Sequence, residues 1–137
     1  MTASPSVSAG RSIPFDPKRF YQQAKRMARS NNEASLRTAV GRAYYAMYLI
    51  AHSRPSVLAQ MQITPFPRNG GLHEHLANAI TGMPGLNATG NQLKDLKRLR
   101  HIADYKMNPP QPDANWSNNW QIAKTLADAL LPVLSTI

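Results

Sequence analysis

Apolar residues recur along most of this chain every three or four positions, the period of an amphipathic helix. No period-two strand pattern stands out, and there is no internal repeat. Asp16-Pro17 reads as a helix start, because Asp can cap and Pro fits the first helical position. Phe20, Ala24 and Met27 carry the apolar stripe to about Ser30, where Asn31-Asn32 breaks it. The next helix runs from Glu33 to His52. Leu36, Ala39, Val40, Ala43, Met47 and Ile50 share one face; Arg42, Tyr45 and Leu49 lie opposite. A helix with apolar or semi-polar groups all round is a central one.

Residues 53 to 70 carry Pro55, Pro65, Pro67 and Gly70 and read as a long loop. A short helix follows from Gly71 to Thr81, with Leu72, Leu76 and Ile80 in register, and Gly82, Pro84 and Gly85 end it. A fourth helix starts near Thr89 to Asn91 and reaches about Tyr105 on a stripe of Leu93, Leu96, Leu99 and Ala103. Pro109, Pro110 and Pro112 prevent its continuation. The last helix begins around Asn115 to Ser117. Trp116, Trp120, Ala123, Leu126, Ala127 and Leu130 face inward, and Pro132 is expected to disturb its final turn. The expected fold is all-α: an up-and-down four-helix bundle with an additional short helix.

Length and composition refine this picture. At 137 residues the chain suits one domain, with residues 1–14 expected to be a mobile tail and 15–137 the domain itself. There are no cysteines, which excludes disulfides and thiolate metal sites. The longest apolar run, Ala43 to Ala51, contains three tyrosines and falls short of the ~20 residues a membrane span needs. With no signal-peptide pattern either, the expected location is the cytoplasm. Sixteen Lys and Arg against seven Asp and Glu give a net charge of +9. That balance favours a polyanionic partner such as RNA or a nucleotide, although a self-repelling soluble surface would carry the same charge.

Two stretches concentrate the chemistry: RAYYAMY from Arg42 to Tyr48, and KDLKRLRHIADY from Lys94 to Tyr105. Arg100 and Asp104 are four residues apart and share a helix face. They either cement the central helix against the fourth, with Asp104 bridging Arg100 and Arg42, or form a polar cleft. Tyr44, Tyr45 and Tyr48 are core or interface residues first. Tyr45 is the exception available for base stacking, since it shares a face with Arg42. Lys94, Lys97, Arg98 and Lys106 make a basic edge that either holds a phosphate backbone or is simply solvated. In LHEHL, His73 and His75 are two residues apart and point to different sides of a helix, so no metal site is expected. No sequence feature calls for a cofactor.

SLRTAVGRAYYAMYLIA, from Ser35 to Ala51, resembles the second helix of HEPN domains, and LRHIADY, from Leu99 to Tyr105, resembles the fourth-helix motif in one branch of that superfamily. The helix order and size extend the resemblance over roughly residues 15 to 134. It implies a four-helix bundle, often a homodimer. The functions it implies are a metal-independent RNase toxin or antiphage effector, or a non-catalytic module that binds a protein such as an antitoxin or a nucleotidyltransferase. The family's catalytic signature is Arg, a polar residue, several variable residues, then His. Here the positions five to seven after Arg98 are Ala103, Asp104 and Tyr105, and those after Arg100 are Tyr105, Lys106 and Met107. The residues matched to the R-x-x-A-D-Y motif are Arg100, Asp104 and Tyr105; Arg42 and Tyr45 match RAYYA. In a catalytic version Arg100 holds phosphate charge, and Tyr105 or His101 carries protons.

Overall fold

The structure, a computed structural model, describes residues 16–105 and 115–137. Every regular element in it is a helix: α1 Pro17–Ala28, α2 Glu33–His52, α3 Pro55–Ile63, α4 Leu72–Thr81, α5 Asn87–Tyr105 and α6 Trp116–Leu134. The protein is all-α. The expected N-terminal tail, residues 1–14, and Lys106 lie outside the described residues.

Local chemistry sets the helix starts. The Asp16 carboxylate accepts from the Lys18 N–H at 3.0 Å, with Pro17 opening α1. Asn32 caps α2 through Ser35 N–H, and Asn115 caps α6 through Asn118 N–H, each at 2.9 Å. Between α1 and α2, Asn31 takes φ 54°, a left-handed conformation that Asn tolerates better than most residues.

Helix α2 is central. It packs against α1, α5 and α6, while α5 also meets α4 and α6. Leu36, Ala39, Val40, Ala43, Met47 and Ile50 are all buried, and so are Tyr44 and Tyr48 on the flank. Leu76, Ile80, Leu93, Leu96, Trp116, Trp120 and Leu130 complete the core. Leu72, expected in the same stripe, opens α4 and is 48% exposed.

One expectation needs correction. Residues 53 to 70 are not one loop, since α3 occupies half of them. Pro55 starts that helix, where its missing N–H costs nothing, and Arg54 before it is extended, as a pre-proline residue prefers. Val57 and Met61, one turn apart, anchor it. Pro132 lies within the last turn of α6, which continues to Leu134. Proline removes one hydrogen bond there, while buried Leu130 and Leu134 hold the turn on both sides. No helix among the described residues is long and apolar enough to cross a membrane.

Candidate functional site

An open groove of about 780 Å³ lies where α1, α2 and α5 meet. Arg42 and Tyr45 of α2 line it together with Arg100 and Asp104 of α5. The two sequence stretches that carry the chemistry therefore converge in space. Arg100 Nε donates to Asp104 Oδ2 at 2.9 Å, and both side chains remain partly open to solvent. Asp104 lies over Gly41: a Cβ there would sit 3.6 Å from Oδ1. The absence of a side chain at Gly41 keeps the floor of the groove open.

Asp104 does not bridge Arg100 and Arg42. Arg42 turns toward α1, where its guanidinium lies over the Phe20 ring at 5.0 Å and makes a long 3.5 Å contact to Gln23 Oε1. Its Nε is buried without a hydrogen-bond partner. Among the described residues Arg42 has no ion pair, whereas Arg100 is compensated by Asp104. The groove thus carries an uncompensated cation flanked by aromatic rings. Tyr45 is 42% exposed, its ring 6.0 Å from Phe20 and 6.1 Å from Tyr48.

Sequence reasoning missed Arg37. It is only 6% exposed, yet it lines the groove. Its Nε pairs with Glu33 at 2.9 Å, a terminal nitrogen donates to the Ala103 carbonyl at 3.1 Å, and its plane lies 4.6 Å from the Trp116 ring. Ala103 is in the last turn of α5, where carbonyls lack helical partners. Arg37 therefore ties α2 to the end of α5 and so fixes the backbone that carries Asp104. The available signal was an Arg one turn after Glu33 and beside Leu36 and Val40.

The remaining predicted residues do not gather here. His101 is exposed and is not among the groove residues. Tyr105 ends α5, and its side chain lies outside the described residues, as does Lys106. The basic edge is partly neutralised: Lys97 pairs with Glu74 at 3.2 Å and Arg98 with Asp95 at 2.9 Å. Lys94 is half-buried on the same helix, outside the groove.

A second polar cluster lies behind Arg100. The guanidinium is 5.8 Å from the centre of the buried Tyr44 ring. The Tyr44 hydroxyl is 2.7 Å from His73 Nδ1, and the imidazole stacks on Tyr48 at 4.1 Å. Burial pushes the Tyr44 phenol well above its ordinary range, although Arg100 pulls the other way. Burial, then Arg100 and Lys97, hold His73 below the usual imidazole value. His75 plays a structural part, since its Nε2 lies 3.0 Å from the Thr64 carbonyl and ties α4 to the end of α3. Among the described residues, no group of three or more His, Asp or Glu side chains could hold a metal ion.

No protein-family model matches this sequence, and neither curated proteins nor solved structures yield a match.

Proposed function

We propose that this protein binds single-stranded RNA, or a nucleotide, in the groove between α1, α2 and α5. One observation carries the reading: Arg42, a cation with no carboxylate partner among the described residues, lies in a groove walled by Phe20 and Tyr45. Arginine forks suit phosphate oxygens, and exposed aromatic rings suit bases of any sequence. Arg100 adds a second cation, and Asp104 orients it through the 2.9 Å bond to Nε.

The resemblance of RAYYA and R-x-x-A-D-Y to HEPN domains points the same way. On that reading the helices form a HEPN-like up-and-down four-helix bundle, the protein works as a homodimer in the cytoplasm, and its role is that of a toxin or antiphage effector. Metal-independent cleavage requires a base for the 2′-hydroxyl, a cation for the phosphorane and an acid for the leaving oxygen. The groove supplies the cation. No histidine lines it among the described residues. Binding is therefore the primary activity we infer, with cleavage as its extension.

A second reading, a non-catalytic module that binds a protein such as a nucleotidyltransferase, is favoured by a different observation. Ile63 and Phe66 are 76% and 60% exposed at and after the end of α3, with Leu58 and Leu72 also open to solvent. The two readings separate on incubating labelled RNA with the protein, with and without EDTA, beside Arg100→Ala. Retention of RNA by the wild type and its loss in a folded Arg100→Ala variant support the groove. Cleavage that survives EDTA extends the reading to an RNase. Wild-type protein that neither binds nor cuts any RNA removes it.

A further inference from the structure

Arg100 belongs to two places at once. It lines the groove, and its guanidinium also lies against Tyr44, whose hydroxyl holds His73. Its Nε is engaged by Asp104, but its terminal nitrogens have no hydrogen bond to any described residue. The imidazole of His73 is fixed on two sides, by the 2.7 Å contact at Nδ1 and by the Tyr48 ring 4.1 Å away. The buried Tyr44 phenol stays protonated, and its hydroxyl shares one hydrogen bond with Nδ1 whose direction follows the imidazole tautomer. Nε2 has no hydrogen-bond partner among the described residues.

The surrounding charges are those an anion would select. From α5 come Arg100 and Lys97, both near enough to disfavour a proton on His73. From α4 itself comes Glu74, which is occupied by Lys97 at 3.2 Å. From α2 come the Tyr44 and Tyr48 phenols, with His52 stacked beyond Tyr48 at 5.7 Å. Helix α3 carries no charged residue. An oriented imidazole next to two cations lacks only the negative charge that would let it take a proton.

We propose that His73 and Arg100 form a phosphate-binding subsite between α4 and α5, sharing Arg100 with the groove, and that His73 takes up a proton when a phosphate binds. The chemistry is that of a phosphodiester; that it comes from RNA rests on the groove reading above. On protonation Nδ1 becomes a donor and the Tyr44 oxygen accepts, so the same 2.7 Å contact serves both states. Nε2–H and the free end of the Arg100 fork then share the phosphate oxygens.

The test follows the four imidazoles of the full-length protein by NMR between pH 5 and 8. Three samples are compared, one without ligand, one with sulfate and one with a 2′-O-methyl RNA tetranucleotide. The last cannot be cleaved, and its phosphodiesters keep constant charge over this range. An anion beside an imidazole raises its titration midpoint by about one pH unit, which caps the accompanying gain in affinity at low pH at about tenfold. The expected result is that rise at His73 with both ligands, none at His75, and its loss in Arg100→Gln. If the tetranucleotide binds and His73 does not move, the subsite is wrong and the RNA reading stands. If sulfate moves His73 but the tetranucleotide does not bind, the subsite stands and the RNA reading falls. A midpoint unchanged by either ligand, or one that still moves in Arg100→Gln, overturns the proposal. The wild-type measurement carries the result, and His73→Asn serves only to assign the resonance.

Discussion

Replacing Asp104 by Asn separates a structural bridge from a site residue. The two possibilities differ in magnitude. The Arg100–Asp104 pair is intrahelical, four residues apart, with side chains 29% and 39% exposed. Pairs of that kind contribute about 0.3–0.5 kcal/mol. No hydrogen bond from α2 reaches Asp104 among the described residues. At about 3–5 °C per kcal/mol for a chain of this length, Asp104→Asn should lower Tm by less than ~5 °C. Arg37 sets the contrast. It is buried, it donates to the Ala103 carbonyl, and it lies on Trp116. A charge-assisted hydrogen bond contributes about 1.5–3 kcal/mol and a desolvated cation–π contact up to ~2. Arg37→Ala should therefore cost about 2–5 kcal/mol, or roughly 6–25 °C by the same scale. Thermal unfolding followed by circular dichroism at neutral pH reads both variants. Equal and large losses would refute the reasoning, because Asp104 would then be a fold-holding residue.

Three further outcomes follow from the packing and the charges. Gly90→Ala should destabilise the protein by about 1–2 kcal/mol despite the helix-propensity gain, because its Cβ would lie 2.6 Å from the Thr81 backbone nitrogen; denaturant unfolding checks this. Gly41→Leu should fill the groove floor and abolish RNA binding in filter retention while leaving Tm within a few degrees, since a Cβ there meets only Asp104 Oδ1, at an ordinary contact distance of 3.6 Å. Burial alone would raise the Asp128 pKa, but hydrogen bonds from Tyr21 at 2.6 Å and Lys124 at 2.9 Å outweigh it and hold the carboxyl below its ordinary value. Its contribution is therefore present above the unfolded carboxylate pKa of about 4 and disappears as pH falls through the lower folded value. The stability gap between wild type and Asp128→Asn should be full at pH 6 and close toward pH 2–3.

How much of this was legible in the sequence depended on how local the determinant was. The central helix and its two faces could be read because period is a property of consecutive residues, whereas Asn31-Asn32 was legible only as a break and not as the cap that Asn32 supplies. Helix α3 was not, because prolines that mark loops also open helices, and only Val57 and Met61 signal its buried side. The convergence of Arg42 with Arg100 and Asp104 could be expected from opposed helix faces. The turn of Arg42 toward Phe20 rather than Asp104 could not, since Gln23 and Phe20 belong to another helix. His73 went unrecognised for the same reason. Its partner Tyr44 is 29 residues away, and nothing in LHEHL reveals the contact.

RNA binding in the groove is the central claim, and fluorescence anisotropy with a labelled single-stranded RNA tests it most directly. Affinity of the wild type should fall with salt, and Arg42→Ala and Arg100→Ala should each weaken binding and flatten the log K–log salt slope by about 0.7, the loss expected for one phosphate contact on a single strand. Folded variants with wild-type affinity and slope would contradict the claim that those two arginines hold the nucleic acid.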